Sequence, residues 1–467
     1  MSGWRACVLA AICATNCTKA NPGATCTNGT CTDPAFPYCD SDGSVGGTAG
    51  ECIAVSCTPG EIKECQGSQA FTCNATGDGY ELDDCALGCA DGPPPHCKYV
   101  QPTYIPDICD AAATSSPFVV TSSGQFDPNL DTNCTGGVVN QAGASAICIV
   151  RAPTIDIGSD ATLTILGSAS MTARAIAFVA DDLLSVEGTI DVSGHTSVNG
   201  PGGGIVTSGG PPTIIAAGSN NNAFLGGGGA GGATSGGAGG ETINGGAGIT
   251  GGASNGGAVA QNPALSPALV GGASSAVVMV DQPTMSLMFT VFGGGGGALM
   301  LVSCHASVTV TGMLISSGGG GPGATITDLS RLSGFGGGAG GNIVIEGANV
   351  SVTGSAFANG GGGGGGNFGS AVFARGSDGE DGTASDSVAA AGGVLGDAGA
   401  GGSGAIAGRA AQSGGGATNS AGDAGTSGGG AGGVGFLQTY TPAGITPTLT
   451  PAHASPAFQP NGTVETR

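Results

Sequence analysis

The chain has 467 residues, of which 98 are glycine, and its formal net charge at pH 7 is −22. A chain this acidic repels phosphate, which argues against nucleic-acid binding. No uninterrupted apolar run approaches the ~18 residues of a membrane-spanning helix, so we expect no such segment in the mature chain. The glycines do not recur at every third position, which excludes a collagen triple helix.

The first 16 residues have the features of a secretory signal peptide. Arg5 supplies a positive charge, and residues 6–14 form a short apolar run, ACVLAAICA. This pattern predicts export, with the mature protein extracellular or on the outer cell surface.

Cysteine is concentrated near the N-terminus, with 12 of the 17 cysteines lying between Cys17 and Cys109. So many thiols in a short segment indicate an oxidising compartment and a small domain held by disulfides, over 17–110. The paired C-x2-C spacing of zinc sites is absent from that segment, and spacing alone leaves the disulfide connectivity open. Cys304 is left over and is expected to be a buried free thiol. The disulfide candidates are Cys17, Cys26, Cys31, Cys39, Cys52, Cys57, Cys65, Cys73, Cys85, Cys89, Cys97, Cys109, Cys134 and Cys148.

Composition changes near residue 150, after which 81 of the 98 glycines are found. Polar and proline-containing stretches over 111–150 indicate a linker and an entry segment. Residues 151–467 then form one long glycine-rich body.

That body contains a degenerate repeat, seen at 175–204, 298–321 and 341–366, with a partial copy at 155–167. Each copy has an apolar strand, a turn, an alternating strand, a third short strand and a glycine run. In the second copy, alternation places Val308 and Val310 on one face and Thr309 on the other. The pattern predicts an all-β fold, an irregular right-handed parallel β-helix (solenoid) with long glycine-rich insertions. A β-sandwich is the alternative, since its strands also alternate.

The insertions at 200–292, 316–341 and 359–436 are too rich in glycine to form a conventional core. They can be flexible loops, or they can stack as extended three-fold chains joined by hydrogen bonds. We expect mostly flexible loops, with local stacking at the longest runs, Gly293–Gly297 and Gly360–Gly366.

Residues for catalysis or metal binding are sparse in the body. Neighbours in a strand point to opposite faces, which would prevent Asp181 and Asp182 from sharing a catalytic site. We expect both to be solvated turn residues. Asp378, Glu380 and Asp381 are weak calcium candidates, because their spacing matches no known calcium loop. The sequence therefore predicts no catalytic residue, no metal site and no cofactor.

The motifs CTPGEIKEC, GTIDVSG and GGGAGGNIVIEGANVSVTGS resemble those of uncharacterised bacterial secreted proteins with a Cys-rich head and a glycine-rich β-helical, adhesin-like body. The glycine runs are also similar to those of mycobacterial PE-PGRS proteins, although the N-terminal helical pair of that family is absent. The resemblance implies a surface or matrix protein and carries over no site residues. We therefore expect a secreted or cell-surface structural or adhesive protein without catalytic activity, with extracellular polysaccharide or cell-surface partners. The alternative is a β-helix protein that binds or degrades polysaccharide, as a lyase or hydrolase.

Overall fold

Every regular element in the described part of the chain is a β-strand, except one turn of 3-10 helix at Asp131–Asn133. The computed structural model describes residues 25–27, 29–33, 36, 38–41, 43, 48–54, 57–77, 79–110, 116–169, 173–204, 214–216, 223–243, 268–275, 278–282, 287–324, 330–367, 375–396, 398–417 and 425–467. The predicted signal peptide and Cys17 lie outside these residues. The chain divides into two units, 1–98 and 99–467, so residues 99–110 group with the glycine-rich body and not with the Cys-rich head.

The first unit contains short antiparallel strands. A three-stranded sheet is flanked in sequence by two hairpin-like pairs, and the strands are Tyr38–Asp40 with Glu51–Ile53; Ile62–Gln66, Gln69–Cys73 and Tyr80–Asp84; and Cys89–Ala90 with His96–Cys97. Among the described residues of this unit, few apolar side chains other than cysteines are buried. Covalent cross-links take the place of a large core in a small domain of this type.

The prediction that the protein is disulfide-bonded is confirmed, since the 14 described cysteines form seven disulfides. These are Cys26–Cys39, Cys31–Cys52, Cys57–Cys73, Cys65–Cys89, Cys85–Cys97, Cys109–Cys304 and Cys134–Cys148. The expectation that Cys304 is a free thiol is wrong. Its partner Cys109 lies 195 positions earlier, a separation that no spacing rule could have suggested.

The second unit is built on three mainly parallel sheets. Sheet 1 contains Gly137–Val139, Ile147–Ala152, Ala175–Ala180, Ala298–Ser303, Asn342–Glu346, Phe436–Thr441 and Gly462–Thr463, with only the first strand antiparallel to its neighbour. Sheet 2 contains Phe118–Val120, Ile155–Ile157, Leu184–Val186, Ser307–Val310, Asn349–Val352 and Thr448–Leu449. Sheet 3 contains Gly124–Phe126, Thr162–Ile165, Thr189–Asp191, Met313–Ile315, Ser355–Phe357 and His453–Ser455.

Four antiparallel strand pairs complete the described part of this unit. They are Val100–Gln101 with Glu465–Thr466, Ile214–Ala216 with Ser330–Leu332, Ala223–Leu225 with Glu241–Ile243, and Val278–Gln282 with Leu287–Val291.

Alternate residues of all three sheets share one apolar core. Phe178 of sheet 1, Val308 of sheet 2 and Leu314 of sheet 3 are each fully buried in it. Burying a side chain of this size contributes about 1.5–3 kcal/mol relative to exposure. The predicted alternation is therefore confirmed, because Val308 and Val310 face the core while Thr309 lies on the opposite face.

The strand triplets predicted from the repeat are present, and two further sets were missed. The segment 436–455 supplies a strand to each sheet, and residues 118–126, predicted as linker, supply strands to sheets 2 and 3. The C-terminal set was missed because the sheet 2 strand Thr448–Leu449 has two residues and lies between Pro447 and Pro451. A run this short carries no measurable alternation.

Sheet 1 is buried on its second face as well. Residues 99–109, which we call the strap, cover that face with Tyr104, Ile105 and Cys109, which pack in one cluster with Met300 and Val344. A sheet that is covered on both faces has near-continuous apolar strands, as the fully buried Ala298–Ser303 shows.

The described glycine segments form a hydrogen-bonded array, which we call the glycine lattice. In Gly360–Gly366, amides three residues apart donate to the same neighbouring segment, so the run donates to 399–405, 335–338 and 377–380. Its carbonyls accept from amides of 429–432, 321–324 and Gly393. A period of three with hydrogen bonds in several directions is expected of extended three-fold chains. A Cβ at any position of the run would lie within 1.9–2.7 Å of a neighbouring backbone atom.

The expectation that the insertions are mostly flexible loops is wrong for their described residues, whereas stacking at Gly293–Gly297 and Gly360–Gly366 is confirmed. The expectation was based on the small apolar area that glycine can bury, and this area alone does not explain why the segments are ordered. Each buried backbone hydrogen bond contributes about 0.5–1.5 kcal/mol, and glycine allows backbones to make close dispersion contacts with several neighbours. The sheets also fix the ends of each insertion, which reduces the entropy lost on ordering.

Candidate functional site

The two adjacent aspartates at the end of a sheet 1 strand have different environments. Asp181 is buried, 8 % exposed, and Arg151 Nη2 donates to its Oδ1 at 2.9 Å. Asp182 is exposed. The expectation of a solvated turn residue is therefore wrong for Asp181, because a guanidinium from the adjacent strand holds its carboxylate. Asp182 agrees with that expectation. His305 Nδ1 donates to the backbone carbonyl of Asp181 at 3.1 Å, not to its carboxylate.

The calcium candidates do not converge on one point. Asp378 Oδ1 accepts the amide of Gly323 at 2.7 Å and also pairs with Arg375 at 2.9 Å. Glu380 Oε2 accepts the amide of Ala391 at 2.9 Å. These carboxylates therefore hold edges of the glycine lattice, where amides would otherwise lack acceptors.

The third candidate, Asp381, belongs to one of two histidine–aspartate pairs. Its Oδ1 accepts the amide of Gly320 at 2.8 Å, and His195 Nδ1 donates to its Oδ2 at 2.7 Å. His453 Nδ1 likewise donates to Asp386 Oδ2 at 2.9 Å. The hydrogen bond that His195 donates to Asp381 raises the pKa of His195. Both pairs attach segment 378–386 to other parts of the unit.

Within the described residues, one group of potential metal ligands is close-packed: the sulfur atoms of Cys26, Cys31 and Cys52 lie within 4.8 Å of one another. All three are in disulfides, with Cys26 bound to Cys39 and Cys31 to Cys52. A disulfide sulfur lacks the thiolate that binds zinc. This group is therefore structural.

The outward face of sheet 2 carries a row of short polar side chains in register. Starting at the second strand, Asp156 pairs with Ser185, Ser185 with Thr309, Thr309 with Ser351, and Ser351 with Thr448. Paired strands lie about 4.8 Å apart, so hydroxyl groups repeat at that interval over four successive strands.

A second row lies two residues further along the same strands. The amide of Thr353 donates to Val310 O at 2.9 Å and the amide of Thr450 to Val352 O at 3.0 Å, which extends the ladder past Thr311, Thr353 and Thr450. All three side chains are exposed. Two carboxylates border this uncharged area: Asp156 beside Ser185, and Glu187 beside Thr311. The outward position of Thr309, Thr311, Ser351 and Thr353 was predictable from the alternation, whereas the alignment with Thr448 and Thr450 was not.

Under the strap, sheet 1 carries a buried acidic residue that sequence reasoning missed. Glu346 is fully buried, and its Oε2 accepts the amide of Thr103 at 3.0 Å. Burial raises the pKa of Glu346 to about 7. The hydroxyl of Tyr104 donates to Tyr440, which also accepts from Gln438 Nε2 at 3.3 Å. The alternation in NIVIE places Glu346 outward, and only the strap makes that outward position a buried one.

No family model, curated protein or solved structure matches this chain. The part of the chain that the structure describes contains no helix of the length and apolarity needed to cross a membrane.

Proposed function

We propose that the protein is a secreted or cell-surface structural and adhesive protein, and that its three sheets wind as a right-handed parallel β-solenoid. Support for the winding comes from the chain order: sheets 1, 2 and 3 receive a strand in the same sequence in five successive repeats, beginning at 147, 175, 298, 342 and 436. Parallel crossovers of this type are right-handed in about 98 % of cases. The dense disulfides favour an extracellular location.

The observation that carries the adhesive role is the double row of hydroxyls on sheet 2. Solenoid surfaces present the same chemistry at a fixed interval, and several weak contacts in a row give appreciable avidity to a repetitive partner. Extracellular polysaccharide is the partner class that we propose, because its hydroxyl groups also repeat at fixed intervals and match an uncharged, hydrogen-bonding surface. The glycine lattice beside the sheets would keep that surface rigid, which lowers the entropy lost on binding.

The test is sedimentation of the full-length protein with insoluble polysaccharides and with whole bacterial cells. The variant Thr309→Glu/Ser351→Glu places two carboxylates on adjacent strands of sheet 2. The matched control is Thr162→Glu/Thr189→Glu, an outward and partly exposed pair in register on sheet 3. We expect binding to fall at least tenfold in the first variant and to persist in the control.

Three results would contradict the proposal. If the wild-type protein binds neither cells nor any polysaccharide, it has no adhesive role. If both variants lose binding equally, sheet 2 is not the binding surface. Release of soluble oligosaccharides by the wild-type protein would favour the polysaccharide-degrading alternative.

A further inference from the structure

Two buried oxygen atoms on adjacent strands of sheet 1 lack hydrogen-bond donors. Among the described residues, none donates to Glu346 Oε1 or to Gln438 Oε1. Both side chains are buried, with Glu346 fully enclosed and Gln438 6 % exposed. An acceptor buried without a donor loses its hydration and gains nothing in return, which costs about 1–3 kcal/mol.

The register places the two residues that carry these oxygens near each other. Glu346 pairs with Tyr440 and Val344 pairs with Gln438, so Glu346 and Gln438 are diagonal neighbours on the strap side of sheet 1. Long side chains reach each other across such a diagonal. A single proton on Glu346 Oε1 would convert that atom into a donor and supply Gln438 Oε1 with its missing partner.

The strap is fixed to the rest of the unit at both of its ends. At one end Val100–Gln101 pairs with Glu465–Thr466, and at the other Cys109 is bonded to Cys304. Between them, the contacts to the sheet include the hydrogen bonds of Thr103 to Glu346 and of Tyr104 to Tyr440, and the packed side chains of Tyr104, Ile105 and Ile108.

We propose that Glu346 is a pH-sensitive latch: its protonated carboxyl donates to Gln438 and holds the centre of the strap, 102–108, on sheet 1, and its ionisation releases that segment. Ionisation returns Oε1 to an acceptor without a donor and leaves a buried carboxylate whose hydrogen bonds come from the amide and the hydroxyl of Thr103, with no counter-charge. A buried charge without a counter-charge is relieved by local opening that admits water. Opening would expose the apolar face that includes Val344.

The other groups facing Glu346 do not supply a compensating charge. Tyr104 from the strap and Tyr440 from the adjacent strand are neutral, since burial raises the pKa of each. The strand on the other side places Val302 opposite Glu346. Further along the strap, Asp107 pairs with Arg467 at 3.0 Å.

Charged and titratable groups also lie near the ends of the strap. The ring of Tyr99 lies 6.1 Å from that of His305, whose Nδ1 bonds the carbonyl of Asp181. Asp110 acts electrostatically on Tyr99. None of these groups is among the contacts that set the protonation of Glu346.

The raised pKa of Glu346 determines the direction in which strap opening depends on pH. A carboxyl whose folded pKa exceeds its unfolded value stabilises the closed state at low pH, and that contribution declines as pH rises from about 4.5 to about 7. Between these two values opening releases close to one proton, so the opening equilibrium constant rises by up to about tenfold per pH unit, and it levels off above about 7.

Hydrogen exchange of peptides covering 102–108, divided by the intrinsic exchange rate at each pH, measures this opening in the full-length protein. We expect protection in the wild type to fall by up to about tenfold per pH unit between about 4.5 and 7 and to level off above 7, and protection in Glu346→Gln to be independent of pH. Glu187→Gln, an exposed carboxyl on sheet 2, should behave as the wild type. Gln438→Met removes the acceptor of the proton and should reduce protection at acidic pH and lower the pH at which protection levels off.

Three results would overturn the latch. One is wild-type protection that does not vary with pH, and another is the same pH dependence in Glu346→Gln as in the wild type. The third is recovery of protection at pH 8 on adding millimolar calcium or potassium, which would mean that a cation, and not a proton, fills the space between the two oxygens.

Discussion

The disulfide between Cys109 and Cys304 joins the end of the strap to the end of a sheet 1 strand, 195 positions away in sequence. It closes a far longer loop than Cys134–Cys148, which spans 14 positions in the same unit. A cross-link that closes a longer loop removes more entropy from the unfolded chain.

Replacing both members of the Cys109–Cys304 pair by alanine should therefore lower the free energy of unfolding by about 5 kcal/mol on the chain-entropy account. The same replacement at Cys134 and Cys148 should lower it by about 3 kcal/mol. Urea unfolding of the two full-length variants provides the comparison. A larger loss at Cys134–Cys148 would show that native-state geometry, not loop length, determines the stabilisation.

The glycine lattice makes a prediction about a single methyl group. A Cβ on Gly364 would lie 2.0 Å from Pro322 O, so Gly364→Ala should destabilise the fold by about 3 kcal/mol or more. Gly124→Ala is the matched control, because its Cβ would meet no atom within 4 Å. We expect that control to change the melting temperature little. Equal melting temperatures for the two variants would mean that Gly364 is not packed against its neighbours.

The ion pair between Arg151 and Asp181 is buried, with each side chain 11 % exposed. Asp181→Asn should lower the free energy of unfolding by about 3 kcal/mol, since it leaves the guanidinium without its counter-charge. The double variant Arg151→Met/Asp181→Leu should recover most of that loss, to within about 1 kcal/mol of the wild type. If the double variant is as unstable as the single one, the ion pair stabilises the fold by more than the cancellation of two buried charges.

The His195–Asp381 pair predicts a pH dependence with a defined sign. Because Asp381 raises the pKa of His195, the pair contributes stability below the unfolded value of about 6.5, and this contribution is lost as pH rises through the folded pKa. The side chains are 56 % and 41 % exposed, which keeps the effect below about 1 kcal/mol.

Titration of His195 by NMR should give a lower pKa in Asp381→Asn than in the wild type. That variant keeps an oxygen for the amide of Gly320 and replaces the charged oxygen that faces His195 by an amide NH2 group. Asp386→Asn, which removes the partner of His453 instead, should leave the His195 titration unchanged. An unchanged pKa in Asp381→Asn would contradict the pairing.

The sequence predicted what depends on local alternation and missed what depends on long-range contact. The triplet at 298–315 was predictable because Val308 and Val310 alternate with hydroxyl residues over enough positions to define a face. Glu346 follows the same alternation, yet its burial depends on the strap, which is more than 200 positions earlier and leaves no local signal.

The glycine lattice was predictable in kind but not in extent. The longest run, Gly360–Gly366, suggested stacking because only glycine permits such close approach. The number of its neighbours depends on segments as distant as 321–324 and 429–432, whose arrangement cannot be derived from composition. The Cys109–Cys304 disulfide could not be predicted for the same reason, since an odd cysteine far from the others gives no indication of its partner.

Backbone hydrogen exchange over Gly360–Gly366, with Ala298–Ser303 of sheet 1 as an internal reference, tests the ordered glycine lattice most directly. The account predicts that these glycine amides are protected to within about tenfold of the strand amides, because both sets are buried and hydrogen-bonded. Exchange of the glycine amides at the rate of an unstructured peptide, while the strand amides stay protected, would contradict it.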